Sequence, residues 1–355
     1  MKSFYPGPST LFPEVRHYLT EVYDSGILSV NHRSPEFVAL SQSCIGLLKA
    51  KLQIPEDYTV FFTSSATECW EIIAQSLVIN KSCHVYNGAF GEKWADVTQE
   101  IIGKENCHRL PFGLNEVLQV QNLESLDGAD MFALTHTETS NATCLPEGFI
   151  ESVRLEYPQL FIAVDATSAM GGVQLPFASA DIWFASVQKC FGLPAGMAIM
   201  VCSPRVRERC GSNTKRYNDL SAMFERMDAW QTTYTPNVLG IALLAKVLAG
   251  RNWSDTALKN RAKDWYDFIA QHPPLGTLLV SEPRVRSHTV IAVQAPELLL
   301  HNIKTQAKQA GFLLGNGYGK WAKETYRIAN FPAISDGDLE ALKGWLKNAF
   351  KNQII

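Results

Sequence analysis

The chain has 355 residues, of which 46% are hydrophobic and 19% are charged, and it exceeds the roughly 250–300 residues at which a single core stops growing. Its formal net charge of -3 lacks the basic excess that nucleic-acid binding requires, and no apolar run approaches the roughly 20 residues of a membrane span. The 8 cysteines form no C-x-x-C pair and no Cys/His cluster at zinc spacing. We therefore expect a globular, cytoplasmic protein of two lobes, with no metal, nucleic acid or membrane as partner.

Apolar runs typical of buried strands alternate with helix-length segments over the first two thirds of the chain. Strands are predicted over 59–62, 130–134, 160–164, 181–185 and 197–202. Helices are predicted over 66–78, 88–102 and 148–157, each about long enough to cross back over a sheet. This alternation predicts an α/β fold with a mostly parallel sheet.

The pattern changes near Pro236. The elements predicted after it are a helix over 238–248, a strand over 288–293, a helix over 296–310 with Pro296 in its first turn, a glycine-rich loop over 311–319, a strand over 326–329, and a final helix capped by Ser335 or Asp336. We predict a large α/β domain over 14–240 and a smaller C-terminal α+β domain over 241–355. The segment 1–13 is expected to pack near the smaller domain.

Lys189 carries the sharpest local signal. It follows an apolar strand and precedes a loop rich in Gly and Pro. A lysine placed there is suited to form a Schiff base, because desolvation lowers the pKa of an amine and frees its lone pair. A surface lysine that opens a turn is the alternative.

Asp165 follows four apolar residues, so it lies where an open α/β sheet binds its ligand, outside the carboxyl ends of the strands. An Asp at that place can pair with a pyridinium nitrogen and so make pyridoxal phosphate an electron sink. A helix N-cap is the alternative role for this carboxylate.

Two further strand ends lead into polar segments. The small and hydroxyl residues of 63–68 could direct backbone N–H groups toward a phosphate at a helix N-terminus, although they also form an ordinary capping box. The polar segment 135–141 could hydrogen-bond a ring hydroxyl, or it could be any loop.

The order of these features resembles that of the fold-type I, class V pyridoxal-phosphate aminotransferases. The features are the 63–68 loop, Gly88-Ala89-Phe90, Thr137-Glu138-Thr139, Val164-Asp165 and Gln188-Lys189. Within that class, Gly7-Pro8, His32-Arg33 with Glu36-Phe37, and Ala195-Gly196 are similar to motifs of the phosphoserine aminotransferase family. The resemblance runs from the N-terminal segment to Arg327, and it implies a large domain built on a seven-stranded, mostly parallel sheet.

The resemblance also implies residue roles in binding pyridoxal 5′-phosphate. Lys189 would form the Schiff base and move the substrate proton, and Asp165 would pair with the pyridine nitrogen. The remaining roles would be phosphate binding by Ala66, Thr67 and Gln188, ring stacking by Phe90, and a hydrogen bond from Thr139 to the phenolate oxygen. Tyr234 and Thr235 would reach the same phosphate from the partner subunit, which implies a homodimer with shared active sites.

On the substrate side, the resemblance assigns His32 and Arg33 to a phosphorylated substrate and Arg327 to the α-carboxylate. The implied reaction belongs to serine biosynthesis and converts 3-phosphohydroxypyruvate and glutamate into phosphoserine and 2-oxoglutarate. A second His-Arg pair of that family is absent here, and Lys320 is a candidate to replace its charge. The alternatives are an aminotransferase that pairs serine or alanine with glyoxylate or pyruvate, and a degenerate relative that keeps the fold as a non-enzymatic binding module.

Overall fold

The computed structural model describes residues 1–123, 126, 128–211, 216–252 and 254–350. The last five residues of the predicted small domain, 351–355, lie outside the described residues. The strands are β1 Lys2–Phe4, β2 Thr59–Thr63, β3 Ser82–Tyr86, β4 Cys107–Pro111, β5 Met131–Thr135, β6 Thr137–Glu138, β7 Thr143–Cys144, β8 Phe161–Asp165, β9 Ile182–Ser186, β10 Ala198–Cys202, β11 Thr277–Leu278, β12 Val290–Gln294, β13 Phe312–Asn316 and β14 Thr325–Ala329.

The α-helices alternate with these strands in the first part of the chain. They are α1 Val15–Asp24, α2 Pro35–Leu52, α3 Ala66–Leu77, α4 Ala89–Ile102, α5 Phe149–Glu156, α6 Pro204–Arg209, α7 Leu220–Met227, α8 Val238–Gly250, α9 Asp255–Ala270, α10 Glu297–Gln309 and α11 Asp336–Ala349. Among the described residues, no helix combines the length and apolar character that crossing a membrane requires.

The larger sheet has seven strands in the order β2-β10-β9-β8-β5-β3-β4. Only β10 runs against its neighbours, and all other adjacent pairs are parallel. The predicted α/β class and the mostly parallel seven-stranded sheet are therefore confirmed. Each strand predicted for this part of the chain lies within about one residue of an observed strand.

Strands β3 and β4 were not predicted, because neither has an apolar run. The buried face of β3 includes the polar residues Ser82 and His84. Strand β4 lies at the sheet edge and ends at Pro111, a residue that an edge strand tolerates because no neighbour needs its missing N–H. Position in the sheet, rather than composition, makes these segments strands.

A second, five-stranded sheet has the order β1-β13-β14-β12-β11. Strand β1 pairs in parallel with β13, with Lys2 opposite Phe312, so the N-terminal segment joins the sheet formed by the C-terminal part of the chain. The loop predicted over 311–319 is wrong for its first half. Residues 312–316 form β13, because Phe312 and Leu314 alternate toward the core as a strand requires. Pro296 is the N-cap of α10 and not part of its first turn.

Two hydrophobic clusters divide the apolar core. Helix α8 belongs to the first cluster, with Ile241, Leu244 and Leu248 fully buried in it. The second cluster includes Trp265 of α9 and the strands of the smaller sheet. The division into domains stays a prediction, but a boundary that follows these two cores lies after α8 rather than at residue 240.

Candidate active site

A cavity of about 480 Å³ opens where β2, β5, β8 and β9 of the larger sheet end. Open α/β sheets bind ligands at this edge, because the carboxyl ends of parallel strands and the helix N-termini that follow them converge there. Most of the predicted site residues line the cavity: Ala66, Thr67, Phe90, Thr139, Asp165, Gln188, Lys189 and Arg327. The fold thus brings together residues that are far apart in the sequence.

Lys189 is 7% exposed, so the alternative of a surface lysine at a turn is wrong. Its amine donates hydrogen bonds to the hydroxyls of Thr139, at 2.7 Å, and Ser168, at 2.9 Å. Burial lowers the pKa of Lys189 to about 8, although Asp165 and Glu138 act to raise it. This amine therefore loses its proton more readily than an ordinary lysine does, as a nucleophilic lysine requires.

Asp165 is the last residue of β8 and is 5% exposed. One carboxylate oxygen accepts a hydrogen bond from the Thr167 backbone N–H at 2.9 Å, and the other accepts one from the Trp70 indole N–H at 3.3 Å. Burial raises the pKa of Asp165, while the bonds from Thr167 and Trp70 and the charge of Lys189 oppose that rise. No α-helix begins at Asp165, so the carboxylate is not a helix N-cap.

The N-terminus of α3 opens onto the cavity through Ala66 and Thr67. Ser65 is the N-cap, and its hydroxyl accepts a hydrogen bond from the Glu68 N–H at 3.1 Å. The Ala66 N–H donates to the Ser186 hydroxyl at 3.0 Å. The segment is thus a cap and also directs the positive end of a helix dipole toward the cavity, which is the arrangement that favours an anion.

Glu138 is a buried residue of the site to which the sequence argument gave no role. One of its carboxylate oxygens accepts hydrogen bonds from the backbone N–H groups of Phe90, at 3.1 Å, and Gly91, at 3.2 Å, in the first turn of α4. The other oxygen accepts from the Ser140 N–H and hydroxyl, at 2.9 and 2.6 Å. A Cβ atom on Gly88 would lie 2.2 Å from the Glu138 side chain, so this approach requires glycine. Glu138 thereby anchors the helix start that carries the Phe90 ring.

Arg327 lies on β14 and is 4% exposed. Its guanidinium donates to the carbonyl oxygens of Asn316 and Thr139, each at 2.7 Å. Burial lowers the pKa of Arg327 to about 10, and no carboxylate among the described residues forms an ion pair with it. The alternative of a surface arginine is therefore wrong, and a cation without an internal counterion faces the cavity.

Four predicted site residues lie outside the cavity of their own chain: His32, Arg33, Tyr234 and Thr235. The Thr235 hydroxyl and the His32 Nδ1 are 3.2 Å apart, and Arg33 donates to Gln231 at 2.7 Å. The Tyr234 hydroxyl instead donates to the Phe62 carbonyl oxygen of its own chain at 3.2 Å. His32, Arg33 and Thr235 therefore form a separate group, and the Tyr234 hydroxyl already has a partner.

Several residues that line or support the cavity were missed, although the sequence carries a weak signal for each. Trp70 follows Ala66 by four positions on α3, and Lys93 follows Phe90 by three on α4, so each pair shares a helix face. Ser168 lies shortly after Asp165, in the segment that follows strand β8. Helical spacing from a predicted site residue would have identified Trp70 and Lys93, but it does not distinguish them from ordinary core or surface positions.

The chain belongs to the class V aminotransferase family, because the Aminotransferase class-V family matches residues 4–311. It is 27% identical over 357 residues to the phosphoserine aminotransferase of Rhodococcus opacus, a match that covers 95% of this chain and 91% of the relative. The structure of a phosphoserine aminotransferase from Cytophaga hutchinsonii superposes with a TM-score of 0.88 at 30% identity, covering 98% of this chain and 99% of that one. An alanine–glyoxylate aminotransferase from Nostoc sp., with a TM-score of 0.82 at 20% identity and coverage of 98% and 94%, shares the fold.

Family membership makes the protein a pyridoxal-phosphate-dependent transaminase of fold type I, as the sequence predicted. The cavity fits the cofactor. Two buried polar atoms that line it have no hydrogen-bond partner among the described residues: Thr135 Oγ1 and Gln188 Oε1. Buried polar atoms are nearly always paired, so these atoms indicate a polar ligand.

Proposed function

We propose that the protein is a phosphoserine:2-oxoglutarate aminotransferase, which converts 3-phosphohydroxypyruvate and glutamate into phosphoserine and 2-oxoglutarate. The observation that carries the proposal is the buried cation Arg327 in the same cavity as Lys189 and Asp165. Relatives of that name match nearly the whole chain at 27% and 30% identity, which supports the substrate assignment.

In this proposal the cavity residues hold the cofactor as follows. The Thr67 backbone N–H and the Gln188 side chain would bind the phosphate, and the Ala66 N–H would join them by exchanging its hydrogen bond to Ser186 for one to the phosphate. Phe90 would stack on the ring, and Thr139 would donate to the phenolate oxygen. When bound, pyridoxal phosphate supplies an electron sink for chemistry at the substrate α-carbon. Asp165 keeps the ring nitrogen protonated, because a buried carboxylate beside that nitrogen stabilises its positive charge.

Lys189 has two tasks. Its amine would hold the cofactor covalently until the substrate amino group replaces it, and the amine freed by that exchange would take the proton from the substrate α-carbon and return it. A pKa of about 8 suits both directions of proton transfer near neutral pH. Thr139 and Ser168 orient the amine, since both hydroxyls lie within hydrogen-bond distance of it.

Arg327 binds the α-carboxylate of either substrate. Two carbonyl oxygens fix the plane of its guanidinium, and its Nη2 group makes no hydrogen bond to any described residue. Planar guanidinium and carboxylate groups match in a bidentate pair, so this arrangement holds the α-carbon in one orientation.

His32, Arg33 and Thr235 act in the partner subunit's cavity. The contact between His32 and Thr235 places them on one surface, apart from the cavity of their own chain. Buried His32 Nε2 has no partner within the described part of the chain, so it is free to bind a group that the partner subunit brings. The active unit is thus a homodimer with two shared sites.

A cytoplasmic location and a role in serine biosynthesis complete the proposal. All eight cysteines are free thiols, and none pairs with another, which suits a reducing compartment.

The deciding measurement compares kcat/KM for phosphoserine and unphosphorylated serine, with and without Arg33→Ala. Loss of one charge-assisted contact costs about 1.5–3 kcal/mol, or roughly 10- to 150-fold, and we expect it for phosphoserine only. If the enzyme prefers serine or alanine with glyoxylate or pyruvate, and Arg33→Ala has no effect, the alternative aminotransferase activity is favoured.

A further inference from the structure

Tyr318 lies on the wall of the cavity between two cations. It belongs to the segment after β13, where the family resemblance implies a second His-Arg pair that this chain lacks. The Lys93 amine donates to the Tyr318 hydroxyl at 2.7 Å. The Arg327 guanidinium carbon lies 5.7 Å from the centroid of the same ring. The ring also stacks on Phe90, with centroids 5.0 Å apart and planes within 13°. Contacts on several sides therefore fix Tyr318 and, through its hydroxyl, the Lys93 amine.

Lys93, like Arg327, is a cation on the cavity wall without a counterion among the described residues. No carboxylate lies within ion-pair distance of it in the described ranges, and its one hydrogen bond is the one to Tyr318. Lys320, which the sequence suggested as a replacement charge, does not line the cavity. Its amine lies over the Trp321 ring, 4.5 Å from the centroid. In its own chain Lys320 therefore does not line the cavity, whereas Lys93 of α4 does.

We propose that Lys93, oriented by Tyr318, binds the distal anionic group of the substrate from within the same chain. This inference rests on the proposed function and names the residue that replaces the missing His-Arg pair. Arg327 receives the α-carboxylate, and Lys93 receives the phosphate of a phosphorylated substrate or the side-chain carboxylate of glutamate.

The spacing of the two cations suits such substrates. Lys93 Nζ and Arg327 Cζ lie 5.1 and 5.7 Å from the Tyr318 ring centroid, so they are less than 11 Å apart. A charge-assisted contact of roughly 3 Å at each end leaves at most about 5 Å between the two anionic groups. The two anionic groups of a short acid lie within this upper limit, whereas serine or alanine has no second anionic group for Lys93 to bind.

The test measures binding of 3-phosphoglycerate to the holoenzyme by calorimetry. This probe carries both anionic groups but has no amino or keto group to react. We expect Lys93→Met to weaken the binding of 3-phosphoglycerate by about tenfold. This is the low end of the range for loss of a charge-assisted contact, because the Lys93 side chain is exposed. Lys320→Met removes the same charge from an exposed position outside the cavity, and it should leave binding unchanged.

Steady-state kinetics give a second readout. Lys93→Met should raise KM for phosphoserine with little change in kcat, leave kcat/KM for serine unchanged, and be partly rescued by Lys93→Arg. Tyr318→Phe keeps the ring but frees the amine, so we expect a smaller loss. If wild-type protein does not prefer the phosphorylated ligand, the proposed function fails and this inference with it. If wild type shows the preference and Lys93→Met keeps it in full, only the role of Lys93 is refuted.

Discussion

The Lys189 amine donates a hydrogen bond to the Thr139 hydroxyl at 2.7 Å, although the two residues are 50 positions apart in the chain. The backbone carbonyl oxygen of Thr139 also accepts a hydrogen bond from the Arg327 guanidinium at 2.7 Å. One threonine thus connects the amine that we assign to proton transfer with the guanidinium that we assign to the substrate carboxylate.

The first prediction concerns the pH at which Lys189 reacts. Burial lowers its pKa to about 8, so the amine is mostly protonated below that pH and mostly unprotonated above it. Because only the unprotonated amine attacks an aldehyde, the rate of covalent attachment of added pyridoxal phosphate to apoprotein should rise with pH and level off above about pH 8. Stopped-flow absorbance measures this rate. A midpoint near the ordinary lysine value, or borohydride labelling of another lysine, would contradict the assignment.

The second prediction concerns the charge of Asp165. Asp165→Asn keeps the size of the side chain but cannot stabilise a protonated ring nitrogen. We expect kcat to fall by several orders of magnitude while the protein stays folded and retains cofactor through its phosphate contacts. Turnover assays and cofactor titration on the same sample separate the two effects. Near-normal turnover would show that the carboxylate serves only the turn at Thr167.

The third prediction concerns Trp70, whose indole N–H donates to Asp165. That hydrogen bond lowers the pKa of Asp165, so its loss in Trp70→Phe should raise this pKa. The acid limb of the kcat/KM profile should then move to higher pH, because more of the carboxylate is protonated at a given pH. The alkaline limb, which reports other groups, should not move. Equal displacement of both limbs, or none, would refute this positioning role.

The fourth prediction concerns the stability that Glu138 provides. Glu138→Gln replaces one acceptor oxygen by an NH₂ group that faces N–H donors, which leaves buried donors unpaired. We expect the free energy of unfolding of the apoprotein to fall by about 2–4 kcal/mol, measured by urea denaturation. Glu156→Gln, on the exposed end of α5, makes the same chemical change and should have little effect. Equal stability of the two variants would show that the Glu138 contacts contribute nothing.

The fifth prediction tests whether sites are shared between subunits. With phosphoserine, Lys189→Ala should be nearly inactive, and Arg33→Ala should lose roughly 10- to 150-fold in kcat/KM. A mixed dimer restores one complete site if Arg33 serves the partner's cavity, because the Lys189→Ala subunit supplies an intact Arg33 to the subunit that keeps Lys189. Activity should therefore recover when the two variants are refolded together. If a verified mixed dimer shows no recovery of activity, Arg33 acts in the site of its own chain. An active monomer in a sedimentation experiment would refute the shared site.

The sequence by itself determined the parts of the protein that depend on local pattern. Apolar runs predicted the buried strands, because a strand that is covered on both faces needs apolar side chains, which can be buried without losing hydrogen bonds to water. Lys189 and Asp165 could be singled out because each follows such a run, and the larger sheet places the ends of those strands at one edge.

Only the tertiary structure decided the rest. Strand β3, with buried Ser82 and His84, is a strand because its neighbours pair with it, which no local pattern shows. Segment 312–316 contains a glycine but pairs in the smaller sheet. Helix α8 packs in the first hydrophobic cluster rather than the second. Lys93 comes to the cavity through α4, whereas Lys320 turns onto Trp321. Which charged side chain meets the substrate depends on packing between distant segments, and that packing sets both the distances and the burial on which the chemistry depends.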